Sequence, residues 1–177
     1  MDLETEILRE HSKRQTRRIA GWIGEDARRF KQLMQLFLHG EYRVTQRSAW
    51  IVSECFDQHP RLIRPWLPAI LSKMQEPGVH DAVPRNMLRI LQFVEIPKSL
   101  LGTAATLCFD YLSAVGSPIA VKANAMTVLQ NIAAREPHLK RELQTSIELM
   151  MPYVGAALKA RARIVLKELE SIPTENG

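Results

Sequence analysis

The sequence predicts an all-α fold: a right-handed superhelix of about four stacked helix pairs, nine helices in all. Three observations carry this expectation. Two stretches 38 residues apart, AVPRNMLRILQFV from Ala82 and AVKANAMTVLQNI from Ala120, agree at Ala82/Ala120, Val83/Val121, Asn86/Asn124, Leu91/Leu129 and Gln92/Gln130. Gly40, Gly78, Gly116 and Gly155 follow apolar runs at intervals of 38, 38 and 39 residues. Strand signals are missing, with no sustained apolar/polar alternation and no Asn-Gly hairpin turn. A repeat of roughly 20–50 residues marks a stacked array, because no single helix pair can bury its apolar face alone.

In chain order, helices are expected near residues 3–21, 25–39, 43–58, 60–75, 80–94, 97–114, 118–135, 137–151 and 156–171. The first opens on acidic residues and continues into REHSKRQTRR, ten positions without a large apolar side chain. It reads as a basic N-terminal helix closing one end of the array, where a polar outer face is required. The second runs to Gly40. The third, fifth, seventh and ninth carry apolar faces at helical spacing: Ala49, Val52 and Phe56; Val83, Met87, Ile90, Leu91 and Val94; Val121, Ala125, Val128, Leu129 and Ile132; Leu158, Ala162, Val165, Leu166 and Leu169. The fourth, sixth and eighth open at Pro60, Pro97 and Pro137, since a helix's first turn tolerates a missing N–H. Each of the four periodic glycines is expected to close a helix in the left-handed conformation. One domain over 1–172 follows, with 173–177 as a frayed tail.

Composition fits a folded globular chain: 177 residues, 46% hydrophobic and 24% charged. The longest uncharged stretch, Ala123–Ala134, is well short of the ~18 residues that span a membrane. The acidic start has no apolar h-region, so no signal peptide is expected. Cys55 and Cys108, each alone in an apolar helical pattern, read as reduced core residues. A soluble, cytoplasmic protein is expected, with no membrane association.

The second-helix segments VKANAMTVL from Val121 and LKARARIVL from Leu158 share an order: aliphatic, basic, then small and aliphatic residues. In this they resemble the HEAT-repeat family, over roughly Glu41–Leu169. In the second copy Pro84 stands where the basic residue would be. The resemblance implies a stacked helical scaffold, whose polar second-helix face usually lines a concave surface.

Catalytic motifs are missing: no GxGxxG, P-loop, HExxH or nucleophile elbow. His11, His39, His59, His80 and His138 stand apart near expected helix ends, and Cys108 has Asp110 nearby but no base at helical reach. No catalytic residue, metal site or cofactor is expected. Two features point to binding instead. Arg9–Lys31 holds eight basic and three acidic residues, 8 − 3 = +5, which equals the net charge of the whole chain. Opposite the core stripe, successive copies present Arg47 and Glu54, then Arg85, Arg89 and Gln92, then Thr127 and Gln130, then Lys167, with Trp50 at the edge near Arg47. Positive charge recurs in only two adjacent copies, whereas a phosphate track would repeat it in each.

The expected function is a non-enzymatic scaffold for a protein or peptide, bound through Arg47, Trp50, Arg85, Arg89, Gln92 and Gln130. The rival is nucleic-acid binding, with Arg14, Arg17 and Arg18 as an anion-binding arm beside the repeat-face arginines. A third, disfavoured reading is a repeat-built DNA glycosylase using Trp50, Asp57 and Arg47, whose offsets do not share one helix face.

Overall fold

The computed structural model describes residues 1–173. The expected tail falls mostly on 174–177, outside the described residues. The chain divides into two compact units, Met1–Ile96 and the part from Pro97 onward. Among the described residues all regular structure is helical, with ten α-helices rather than nine. No helix among them is long and apolar enough to cross a membrane.

The first unit holds α1 (Leu3–Arg9), α2 (Lys13–Ile23), α3 (Ala27–His39), α4 (Tyr42–Gln58), α5 (Leu67–Gln75) and α6 (Ala82–Leu91). The extra helix arises because the expected 3–21 segment breaks in two. Glu10 and Ser12 are extended, and the Ser12 hydroxyl accepts the Gln15 N–H at 3.1 Å, starting a new helix. The break turns Leu3 and Ile7 of α1 inward while α2 buries Ile19, Ala20 and Ile23. The expected helix 60–75 also shortens. Pro60 and Pro65 open two consecutive 3-10 turns, and the α-helix proper starts only at Leu67. α4 is the axis of this unit, packed by α1, α2, α3 and α6, with Phe30, Leu33, Met34 and Phe37 of α3 fully buried beside it.

The second unit holds α7 (Lys98–Ser113), α8 (Ile119–Ala133), α9 (Lys140–Met150) and α10 (Ala156–Glu170). Here α8 is the axis, flanked by α7 and α10. Its expected stripe, Val121, Ala125, Val128, Leu129 and Ile132, is buried throughout, as are Leu158, Ala162, Val165 and Leu169 of α10. Val94 and Leu166, expected on the same faces, are half-buried. Cys55 and Cys108 are buried thiols, and loss of hydration pushes the Cys55 thiol up to about 12 and Cys108 strongly upward as well. Neither is a reactive thiolate.

Of the four periodic glycines, only Gly78 is left-handed, at φ 75°; among the described residues Gly24 is the other with positive φ, at 51°. The expectation fails at Gly40, Gly116 and Gly155. Gly40 has φ −67° and is needed for a different reason: a Cβ there would collide with the Leu36 carbonyl oxygen and sit 2.8 Å from Val44 Cγ1. Gly155 is extended and begins α10 as its N-cap. Gly102, in the interior of α7, costs that helix about 1 kcal/mol relative to alanine. Beyond its chain neighbours and the backbone of its own helix, no atom lies within 4 Å of the position its Cβ would take.

One polar device recurs in both units. A helix ends with carbonyls that have no partner in the helix, and a cation at that end also offsets the macrodipole. Arg47 donates to the Ile7 and Leu8 carbonyls at the end of α1 (3.1 and 2.7 Å), and Arg29 to Trp22 at the end of α2 (2.6 Å). Lys73 donates to Leu38 at the end of α3 (2.8 Å), and Lys122 to Leu112 at the end of α7 (2.9 Å). Lys140 donates to Ile172, just past α10 (2.7 Å). Five of the chain's 24 Lys and Arg side chains therefore serve helix ends.

Candidate interaction face of the first unit

α4 and α6 lie side by side in the first unit and carry four of the six repeat-face residues, with Gln92 just past the end of α6. Trp50, half-buried on α4, meets the His11 ring edge-on, with centroids 5.5 Å apart and planes at 71°. His11 lies in the short link between α1 and α2, so the break in the expected first helix is what places it there. Together with Gln46, Ala82, Arg85 and Asn86, these two rings line a shallow cleft of about 210 Å³. Asn86 is held by a 2.7 Å bond to the Ala82 carbonyl, and Arg85 is exposed on the rim. His80 accepts the Ala82 N–H at 3.0 Å and leans on Tyr42, ring centroids 5.6 Å apart. The His11 pKa lies below the ordinary histidine value, first through lost hydration and then through repulsion from Arg47, Arg85 and His80. The cleft thus sets the Arg85 cation beside an aromatic wall of Trp50 and His11.

The remaining repeat-face residues have other duties. Arg47 reaches the α1 carbonyls, as above. Arg89 braces α6 to α4: its Nε donates to Ser53 Oγ at 3.0 Å and its Nη2 to the Asp57 carboxylate at 2.6 Å. Trp50, Asp57 and Arg47 therefore do not form one set, since Asp57 is held by Arg89 and Arg47 by α1. Gln92 Nε2 lies 3.4 Å from the Leu88 carbonyl. Gln130 is half-buried on α8 of the second unit, and the cleft is built wholly from the first.

The family model of the HEAT repeat domain matches residues 3–169. The chain belongs to the HEAT-repeat family. No curated protein and no solved structure matches it. HEAT repeats form helical scaffolds and generally mediate protein interactions.

In this HEAT-repeat chain the basic N-terminal arginines point into carboxylates. Arg14 pairs with Glu10 at 3.1 Å, Arg17 with Glu54 on α4 at 3.4 Å, and Arg18 with Glu6 on α1. Glu6 also accepts from Gln15 at 2.9 Å, so α2 is stitched to α1 by two donors on one carboxylate. A phosphate would compete with these partners for arginines that stay largely exposed. Among the described residues no group of three or more His, Cys, Asp or Glu could hold a metal ion.

Sequence reasoning did not single out His11, Gln46, His80 or Asn86 as a group. One signal was present: Asn86 and Asn124 recur at the same place in the two repeat segments, inside otherwise apolar faces. His11 could not be placed, because an unbroken first helix carries it away from α4.

Proposed function

We propose that this chain is a non-enzymatic HEAT-repeat scaffold that holds an acidic segment of a partner protein against the α4–α6 face of its first unit. The supporting observation is the cleft beside Trp50, where the exposed Arg85 guanidinium stands next to a half-buried indole and to a His11 ring whose proton is disfavoured by lost hydration and by Arg47 and Arg85. Indole and guanidinium together are the side chains that anchor protein interfaces. The neighbouring carboxylates Glu54 and Asp57 are already paired, to Arg17 and Arg89, and do not oppose an incoming anion. Nucleic-acid binding through Arg14, Arg17 and Arg18 has less support, because each of the three sits on a carboxylate.

Affinity capture from the native host, followed by cross-linking and mass spectrometry, tests this reading. Cross-links should map to the His11–Trp50–Arg85 surface, and a Trp50→Ala, Arg85→Glu variant should lose the partner. Arg14→Gln, Arg17→Gln, Arg18→Gln should keep it. Tight nucleic-acid binding near physiological salt that disappears with this triple change would replace the proposal with its rival. Because His11 is depressed by cations, a bound carboxylate should restore its proton. Partner affinity should then rise as the pH falls below the ordinary histidine value of 6.5, and His11→Asn should flatten that rise.

A further inference from the structure

In the second unit, α7 and the segment from Glu136 into α9 enclose an open groove of about 520 Å³. Leu101, Ala105, Phe109 and Leu139 give it an apolar floor, and Asp110, Glu136 and Glu142 an acidic rim, against Lys98 and His138. The His138 ring lies 3.8 Å from the Glu136 carboxylate, while the carboxylates of Asp110 and Glu142 make no ion pair among the described residues. This acidic rim belongs to a chain of net charge +5.

Helix α7 carries two residues at this groove that its own stability disfavours. Asp110 lies in the last turn, where the helix dipole opposes a negative charge. Gly102 lies in the interior, where alanine would hold the helix better, and no neighbouring atom needs the missing Cβ. Neither is explained by packing within the chain. Both are explained by an occupant of the groove: Gly102 opens a notch above the floor, and Asp110 faces the charge that enters it. An arginine or lysine fits both, laying its methylenes along the apolar floor and its charge among the carboxylates.

We propose that the α7–α9 groove of the second unit binds a cationic segment of a partner protein, seating an arginine or lysine side chain over Gly102 with its charge between Asp110 and Glu142. The site is independent of the acidic-partner cleft in the first unit and opposite to it in charge.

The test is an NMR titration of the full chain with acetyl-Arg-Leu-Arg-amide, with acetyl-Glu-Leu-Glu-amide as comparator. Backbone amide shifts should be confined to Gly102–Asp110 and Glu136–Glu142 and should appear with the cationic peptide alone. Asp110→Asn, Glu142→Gln should weaken binding roughly tenfold, since two charge-assisted contacts are lost. Should the double variant fail to fold, Asp110→Asn alone, at an exposed position, keeps the comparison readable. Gly102→Ala should weaken binding without lowering the melting temperature, which a purely structural glycine would not do. Shifts scattered over the surface, equal response to the acidic peptide, or unchanged affinity in the carboxylate variants would overturn the proposal. So would salt-sensitive self-association that the carboxylate variants abolish, because the occupant would then be a second copy of this chain.

Discussion

In the first unit, polar side chains tie helix to helix: Gln15 and Arg18 bind Glu6, Arg17 reaches Glu54, and Arg89 joins α6 to Ser53 and Asp57 of α4. Among the described residues the second unit has fewer such ties, and it leaves large apolar side chains in the open, as the first does Tyr42 and Phe93. Val115, Ile119, Leu149, Tyr153 and Ile164 are all more than half exposed, several of them around a groove of about 720 Å³. The same helix-pair pattern therefore supports two kinds of surface. One is laced by ion pairs between its helices around the Trp50 cleft, and the other presents an apolar groove and carboxylates outside any ion pair among the described residues. Stability in the first should depend on salt and pH in ways the second does not share.

The sharpest break of this comparison uses the glycine at the same place in each unit's central turn. Gly40→Val, between α3 and α4, should cost about 2–3 kcal/mol, because the side chain must displace Val44 and the Leu36 carbonyl. Gly116→Val, between α7 and α8, places its Cβ with no atom beyond its chain neighbours within 4 Å and has no positive φ, so its cost should stay below ~0.5 kcal/mol. Urea melts of the two variants decide it, and equal losses would show that the turns are equivalent after all.

A second pair contrasts the kinds of polar tie. Arg89→Met and Lys122→Met should each lose about 1–2 kcal/mol, since each leaves acceptors without a donor. They should part in concentrated salt. The Arg89–Asp57 pair is partly open to solvent, so its loss should shrink as salt rises, whereas Lys122 is 8% exposed and its loss should not.

Acid provides a third distinction. The Gln15 amide, then Arg18, holds Glu6 below the ordinary carboxylate value of 4.5, and the backbone N–H groups of Arg29 and Arg28 hold Asp26 below 3.8. Both groups are more acidic folded than unfolded, so the unfolded chain takes up protons first as pH falls. Their stabilisation is complete above those ordinary values and drains away as pH falls through the lower folded ones. Melts of wild type and Glu6→Gln between pH 7 and pH 3 should differ most at pH 7 and converge in acid; a constant difference would refute the assignment. The smallest change has the opposite sign. Ser48 Oγ is buried on α4 with no partner among the described residues, so Ser48→Ala should gain up to ~1 kcal/mol.

The repeat was legible because its signal is redundant. Apolar spacing and the recurring Ala-Val…Asn…Leu-Gln residues mark α6 and α8, the prolines precede the helices that alternate with them, and the stripe of α8 is buried as expected. What failed were features that a local pattern does not encode. The break at Glu10–Ser12 competes with an unbroken polar helix, and the Ser12 cap becomes decisive only with the burial of Leu3 and Ile7 as α1 packs on its neighbours. Gly40 and Gly78 look alike in sequence, yet one answers a steric approach and the other a backbone angle. The charge of the Arg9–Lys31 segment was visible, but the carboxylates that answer it lie partly on other helices. At the candidate cleft, Trp50 and Arg85 could be chosen from their helix face, while His11 required knowledge of the fold.

Lys122 has a consequence for chemical reactivity. An amine is acylated only as the free base and only where a reagent can reach it. Lys122, bonded to the Leu112 carbonyl, and Lys73, bonded to that of Leu38, are 8% and 9% exposed, whereas Lys13 and Lys31 are open to solvent. An amine-reactive label should mark the exposed pair at once and the buried pair only when a helix lifts away. Each unit thus contains its own clock: Lys73 times the parting of α5 from α3, and Lys122 that of α8 from α7.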